Sequence, residues 1–386
     1  MTKNNHLKTA LLLFVSVFLF ACITYINALV IPDFLVSKGL SGEQLDHIES
    51  IEMLGYIIAG LFLTPLINKI SDNKTTIVSL VLLIIGILNL IMIKDYTLLK
   101  INFIVMASAY YTYITTTIIK IVELTNNYKY YKYFALIVFS LLWIAGQFTV
   151  DLLAGFLESA INGLLLCTLL YSFIIITCLQ RENINKNTTL VSRFSFLIEN
   201  IELQVLTGFM VSYITFDILW YYEEFALEKH FPVSKIDTIT HYTLISIFFL
   251  ISPVVLSLKI INKYLANLIL IVILLASFIL LPNYGVTLIG NIYILSTIGV
   301  CLCAIFICNI LILSGKFEAQ DLRTALAIYF TMCAIGMYSG ALSSYISHGL
   351  YDGQGFLFST YSVVGTFVLY YSWYFFRRKL YRLHVN

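Results

Sequence analysis

Asp217 is the residue in this chain best placed to do chemistry. It stands inside an apolar stretch, residues 201–222, with Tyr213 at i−4 and Trp220 at i+3 on roughly the same helical face. At about 1.5 Å per residue it lies roughly 7–8 Å from the Tyr222 end of that stretch. A charge at the centre of a bilayer costs at least about 2.5 kcal/mol on insertion scales, so one that persists there is a candidate for function. Desolvation favours the neutral form of a carboxyl. An acid that trades its proton with each side of a membrane in turn is a coupling device. The alternative is an acid at the interface, wetted by a vestibule.

Other charges are less pointed. Lys120 and Glu123 stand at i, i+3, a spacing that suits an intrahelical pair, while Lys120 could equally snorkel to the surface. Asp33, Glu52 and Asp151 fall near the ends of apolar stretches, as gate residues or as solvated acids. The sequence holds no phosphate-binding glycine loop, no His-x-x-x-His and no nucleophile elbow. No metal site or cofactor is expected. The seven cysteines (22, 167, 178, 301, 303, 308 and 333) all fall in apolar stretches, without metal-ligand spacing, and read as small packing residues.

The elements that must carry these residues follow from composition. The chain of 386 residues is 60% hydrophobic and 11% charged. A soluble protein carries roughly a quarter charged residues, so lipid is the solvent for most of this one. A bilayer core about 30 Å thick needs about 20 apolar residues per helix. Stretches that meet the requirement lie near 9–32, 48–67, 75–93, 101–122, 133–155, 160–180, 201–222, 239–258, 265–282, 286–313, 323–346 and 355–376. They are twelve spans, six in each half. Barrel strands would alternate apolar and polar residues, whereas Val78–Ile93 and Leu268–Leu281 are almost wholly apolar. The fold class expected is an all-α polytopic membrane protein. Its first span reads as a retained helix rather than a cleaved leader.

Charge orients the spans. Of the 23 Lys and Arg, 18 fall on the side of the N-terminus and 5 on the other, and the tail carries Arg377, Arg378, Lys379 and Arg382. The positive-inside rule then puts both termini in the cytoplasm. The acids lean outward, 14 of 21. This distribution either draws cations and protons to the outer mouth or follows from insertion alone. The long hydrophilic break at 181–200 reads as a cytoplasmic linker between an N-terminal six-helix bundle, 1–180, and a C-terminal bundle with its basic tail, 201–386.

The two halves echo each other. Thr24-Tyr25, Asp33-Phe34, Lys38 and Asp46 return as Thr215-Phe216, Glu224-Phe225, Lys229 and Asp237, at an offset of 191. Ile67-Asn68-Lys69 returns as Ile261-Asn262-Lys263, and Ala135-Leu136, Phe139 and Gly146 return as Ala325-Leu326, Tyr329 and Gly336. The agreement suggests a duplication, which in a membrane protein bears on mechanism. The repeat pairs Asp33 with Glu224, while Asp217, Asp151 and Lys120 have no charged counterpart. Gly336 and Gly340, at i, i+4, would let two helices approach closely.

Twelve helices, a central linker and a 6+6 parallel repeat resemble the major facilitator superfamily. That family's signature lies between the second and third helices: Gly, three residues, Asp, a basic residue, one residue, Gly, then basic residues. Here the loop runs Thr64-Pro65-Leu66-Ile67-Asn68-Lys69-Ile70-Ser71-Asp72-Asn73-Lys74. Lys69 keeps the cation, Asn68 replaces the acid, and Thr64 and Ser71 replace the glycines. Either the gate is held by fewer charges, or Asp72 stands in for the lost acid. The arginine and Gly-x-Gly that proton antiporters carry in the fourth helix are missing from 102–108. The chain therefore more closely resembles the divergent, functionally unassigned bacterial branches of the superfamily.

The resemblance implies a pseudo-two-fold axis along the membrane normal and a cavity lined by helices 1, 4, 7 and 10. On those helices it points to Asn27, Tyr110, Tyr113, Thr116, Tyr213 and Asn309, with Trp143 and Gln147 from helix 5. It implies a secondary active transporter or uniporter in the bacterial inner membrane, not an enzyme. The transporter would move a small solute by alternating access, with protons or another cation as a coupling partner. Lipid is the other partner; no nucleic acid is expected, and the chain reads as a monomer. Two alternatives stay open: a membrane enzyme acting on a lipid-linked substrate, and a transporter-like sensor or scaffold that moves nothing.

Overall fold

The structure, a computed structural model, describes residues 3–69, 72–126, 145, 146, 149, 160–178, 201–214, 262–284, 288–317, 319–350, 365–370 and 372–374. Among them every regular element is a helix. The helices are α1 (Lys3–Ser37), α2 (Gly42–Lys69), α3 (Asp72–Met92), α4 (Tyr96–Asn126), α5 (Ala160–Cys178), α6 (Ile201–Ile214), α7 (Lys263–Tyr284), α8 (Leu288–Lys316) and α9 (Ala319–Leu350), with a further helical piece at 365–370. Each falls on a stretch expected from the sequence. The expected spans at 133–155 and 239–258 lie largely or wholly outside the described residues, as does the linker at 181–200.

Several helices run past the apolar stretch that predicted them. The span expected from residue 48 starts at Gly42, and the one expected from 101 starts at Tyr96. Hydropathy marks only the part that meets hydrocarbon; capping groups decide where the helix begins. Ser41 and Gln44 form a reciprocal capping box, with Gln44 N–H donating to Ser41 Oγ at 3.3 Å and Ser41 N–H donating to Gln44 Oε1 at 3.1 Å. Asp95 accepts the Leu98 N–H at 2.9 Å, and Asn262 accepts the Tyr264 N–H at 3.0 Å. Between α1 and α2 the chain turns at Gly39, whose φ of 92° suits a residue without a Cβ.

The side chains are arranged for a lipid solvent. Val78, Val81, Ile85, Leu88 and Met92 line one exposed face of α3, and Leu265, Ile269, Val272 and Ile279 one of α7. In water such continuous apolar faces would be a liability. Polar groups turn inward instead: Thr75, Ser79, Asn102, Thr112, Thr115, Gln204, Thr207, Asn267 and Asn309 are all buried. Many of the hydroxyls satisfy themselves on their own helix. Thr112 donates to Ser108 O at 2.7 Å, Thr115 to Tyr111 O and Thr116 to Thr112 O at 2.8 Å. Lys74–Met92, Lys263–Leu280 and Thr297–Lys316 are long and apolar enough to cross a bilayer. The chain is a multi-pass membrane protein.

The helices group into two compact units. The first comprises Met1–Leu197 and Phe317–Ala334, the second Ile198–Lys316 and Ile335–Asn386, so α9 contributes to both. Close approach inside each unit depends on glycine. A Cβ at Gly55 of α2 would land on the Ile104 carbonyl of α4, and one at Gly86 of α3 on Met106. In the second unit, Cβ atoms at Gly336 and Gly340 would strike the Phe209 and Tyr213 carbonyls of α6, the close approach their spacing predicts. The first unit repeats this contact: a Cβ at Gly146 would stand 2.7 Å from the Phe18 carbonyl. Gly146 and Gly336 are 190 residues apart, Phe18 and Phe209 are 191 apart, so the half-chain echo carries one and the same helix contact.

Candidate functional site

In the first unit, α4 presents two polar faces to different neighbours. The first carries Tyr110 and Tyr113. Both rings lie 4.7 Å from Phe20 of α1, and Tyr113 meets Tyr171 of α5 edge-on at 5.0 Å. Tyr113 shares a hydrogen bond of 3.1 Å with Ser16 of α1. This aromatic knot lies deep, with Tyr113 1% and Tyr171 0% exposed.

The second face carries Ser108, Tyr111 and Thr115, at i, i+3 and i+7. Ser108 Oγ donates to the Gly55 carbonyl of α2 at 2.8 Å. Tyr111 stacks tilted on Tyr56 of α2 at 5.5 Å and donates its phenol to the Phe330 carbonyl of α9. One residue on, Thr331 Oγ1 donates to the Gly60 carbonyl of α2 at 2.6 Å. One turn before Tyr56, Glu52 takes a hydrogen bond from its phenol at 3.5 Å. A carboxylate, two phenols (Tyr56 and Tyr111) and three bonded backbone carbonyls (Gly55, Gly60 and Phe330) thus join α2, α4 and the first half of α9.

In the second unit, Tyr213 of α6 donates to Ser343 of α9 at 2.7 Å, and Asn267 of α7 donates to Asn309 of α8 at 2.9 Å. Both amides are 0% exposed. The first unit also bonds its third helix to its fourth through amides. Asn89 Nδ2 reaches Asn102 Oδ1 at 3.2 Å, and Asn102 Nδ2 reaches the Gly86 carbonyl at 2.9 Å. Within their own hairpins the two pairs differ in place: Asn89–Asn102 is near the α3–α4 connection in sequence, Asn267–Asn309 far from the α7–α8 connection.

Beyond the spans, Lys38 caps the end of α3, donating to the carbonyls of Leu90, of Ile91 at 3.1 Å and of Ile93 at 3.3 Å. Its partial burial and the charge of Lys94 lower its pKa from the usual lysine value. Beside it, the Tyr96 hydroxyl donates to the Gln44 carbonyl and bonds His47 Nδ1, both at 3.2 Å. Lys100 lies 4.1 Å above the Tyr96 ring. Burial pushes the Tyr96 phenol up from its ordinary pKa. Two connecting loops of the first unit are thereby fastened together.

Of the residues expected to line a site, Tyr110 and Tyr113 come together on one face of α4, and Thr116 spends its hydroxyl on the carbonyls of Thr112 and Tyr113. Tyr213 and Asn309 lie inside the second unit, each bonded to a neighbouring helix. Asn27 and Asp33 lie on α1, Asn68 and Lys69 in the last turn of α2, Asp72 at the start of α3 and Glu123 near the end of α4; their side chains lie outside what the structure describes. Lys120 is partly buried on α4. Trp143, Gln147, Asp151, Asp217, Trp220 and Glu224 lie outside the described residues. Sequence reasoning missed the link from Tyr56 through Tyr111 to Phe330. The i, i+4 spacing of Glu52 and Tyr56 was legible; a phenol bonded to a carbonyl 219 residues away has no local signal.

The fold is that of the major facilitator superfamily. The human organic anion transporter MFSD10 superposes with a TM-score of 0.76 at 13% identity, over 96% of this chain and 99% of that one. The E. coli transporter FucP, in its outward conformation, superposes with a TM-score of 0.70 at 16% identity, over 95% and 99%. No protein-family model matches the chain. In sequence it is 47% identical over 383 residues to the uncharacterized protein RP255 of Rickettsia prowazekii (strain Madrid E), covering 99% of this chain and all of that protein. The chain belongs to the same family as RP255, within the major facilitator fold.

Proposed function

We propose that this protein is a secondary transporter, active or uniporting, that moves a small solute across the bacterial inner membrane by alternating access. The observation that carries the reading is its likeness in fold, over nearly the whole chain, to known transporters. Two of these, FucP and XylE, are described as proton symporters of fucose and xylose, and MFSD10 as an organic anion transporter. The buried phenols, hydroxyls and amides inside an apolar exterior support the same reading, because a membrane protein has little reason to bury such groups except for packing specificity or for a solute. They suit a small polar or amphipathic solute better than a polyanion, since the chain places no arginine deep in its expected spans. The six-helix bundles are 1–180 and 201–386, joined by 181–200, with both termini cytoplasmic. The chain works as a monomer in lipid, and protons or another cation are the coupling partner.

Asp217 is the carboxylate assigned to coupling. Purified protein in proteoliposomes, given a broad panel of sugars, amino acids, organic acids and amines under an imposed pH gradient, should accumulate at least one class. Asp217→Asn should abolish gradient-driven accumulation and preserve solute exchange. Uptake of nothing on the panel under any gradient overturns the transport reading; wild-type accumulation in Asp217→Asn removes only that residue from it.

A further inference from the structure

Four carboxylates have side chains that the structure describes: Glu52, Asp95, Glu202 and Asp321. Asp95 stands in a connection, Glu202 is exposed in the first turn of α6, and Asp321 is in the first turn of α9. Glu52 lies furthest among them inside an expected span, four residues past its start at 48 and ten after the start of α2. Where a membrane-spanning stretch holds an ionisable group, a functional role is the default hypothesis. The surroundings of Glu52 make that role specific.

Tyr56, one turn on, donates its phenol to Glu52 Oε1 at 3.5 Å. The Tyr56 ring packs at 5.5 Å on Tyr111 of α4, and the Tyr111 phenol is bonded to the Phe330 carbonyl. Among the described residues, the titratable groups that act on Tyr56 and Tyr111 are Glu52 on α2, Tyr110 on α4 and Cys333 on α9, besides the two phenols themselves. A carboxylate only accepts hydrogen bonds, whereas a carboxylic acid also donates one. Protonating Glu52 therefore weakens its claim on the Tyr56 phenol and frees that ring to shift against Tyr111. The contact beyond is tight: Thr331 is bonded to Gly60, and a Cβ at Gly60 would stand 3.0 Å from the Thr331 Cα. Packed interfaces of this kind switch between arrangements rather than deform smoothly.

We propose that Glu52 is a second proton-carrying site of this protein, distinct from Asp217, and that its protonation resets the Tyr56–Tyr111–Phe330 contact that ties α2, α4 and the first half of α9. The proton comes from water, adds to one carboxylate oxygen, and returns to water on release; no other bond is made or broken. The inference deepens the transport reading, but its readout needs no solute.

The test is infrared difference spectroscopy on the full-length protein in lipid nanodiscs, stepped between acid and alkaline pH. The wild type should show a protonated-carboxyl C=O band that vanishes on the alkaline step, together with a tyrosine ring-mode change. Glu52→Gln should lose both, and Tyr56→Phe should keep the carboxyl band at a shifted frequency. Tyr111→Phe should lose part of the tyrosine signal. Should Glu52→Gln not fold, Glu52→Asp takes its place and must move the carboxyl band. A carboxyl band unchanged in Glu52→Gln, or in Glu52→Asp where that variant replaces it, overturns the proposal. So does a tyrosine signal that survives Glu52→Gln. A protein that shows the Glu52 signals and moves no solute supports this inference and overturns the transport reading. One that transports without those signals does the reverse.

Discussion

A buried amide in a membrane helix must find a partner within its own bundle, because lipid offers none. Asn267 and Asn309 find each other at 2.9 Å, and Asn102 finds the Gly86 carbonyl and Asn89. Such bonds are worth less than the absence of water suggests. Double-mutant cycles in a membrane protein average about 0.6 kcal/mol, with a maximum near 1.7, since the unfolded chain in lipid also finds partners. Asn267→Leu and Asn309→Leu combined should therefore show a coupling of about 0.6–1.7 kcal/mol in reversible unfolding from lipid–detergent mixtures. Strict additivity would mean the amides do not meet. Asn309 attracted notice in the sequence as a polar residue on a helix expected to line a cavity. Its partner, 42 residues away, did not, because nothing local distinguishes one asparagine in an apolar stretch from another.

Among the elements, the glycine contacts are the most sharply testable. At Gly336 and Gly340 a new Cβ meets a backbone carbonyl of α6, which cannot turn aside as a side-chain end would. Gly336→Ala must push α9 from α6 and should destabilise the second unit by about 1–3 kcal/mol, the usual cost of overpacking. Gly315, with nothing within 4 Å, is the control. Gly315→Ala should be neutral or up to about 1 kcal/mol stabilising through helix propensity alone. Thermal unfolding in detergent would separate the two, and equal midpoints would deny the close approach. The i, i+4 spacing makes a close approach legible in the sequence itself. The spacing did not say which helix α9 would meet, which the pairing of Gly336 with Phe209, and of Gly146 with Phe18, now specifies.

For the whole molecule, the solvent is the controlling fact. The outer face of α3 holds Val78, Val81, Ile85 and Leu88, and its inner face Leu80, Leu83, Ile87 and Leu90. Ile85→Lys, at mid-helix on the lipid side, should cost about 2.5–3.5 kcal/mol of insertion free energy. A glycosylation-mapping assay would register a lower inserted fraction. Insertion at the wild-type level would mean that this face meets protein or water rather than lipid. The sequence by itself determined the solvent, the helical class, the segments that become helices and the half-chain echo, because each depends on composition or on spacing along one element. Only the tertiary structure decided which face of each helix turns inward, and hence that Tyr56 packs on Tyr111 while Tyr113 joins Phe20 and Tyr171. In water, an apolar stripe tells the inside of a helix from the outside. In a bilayer both sides are mostly apolar, that contrast shrinks to a few inward polar groups, and the choice passes largely to glycine contacts and long-range hydrogen bonds that no single helix encodes.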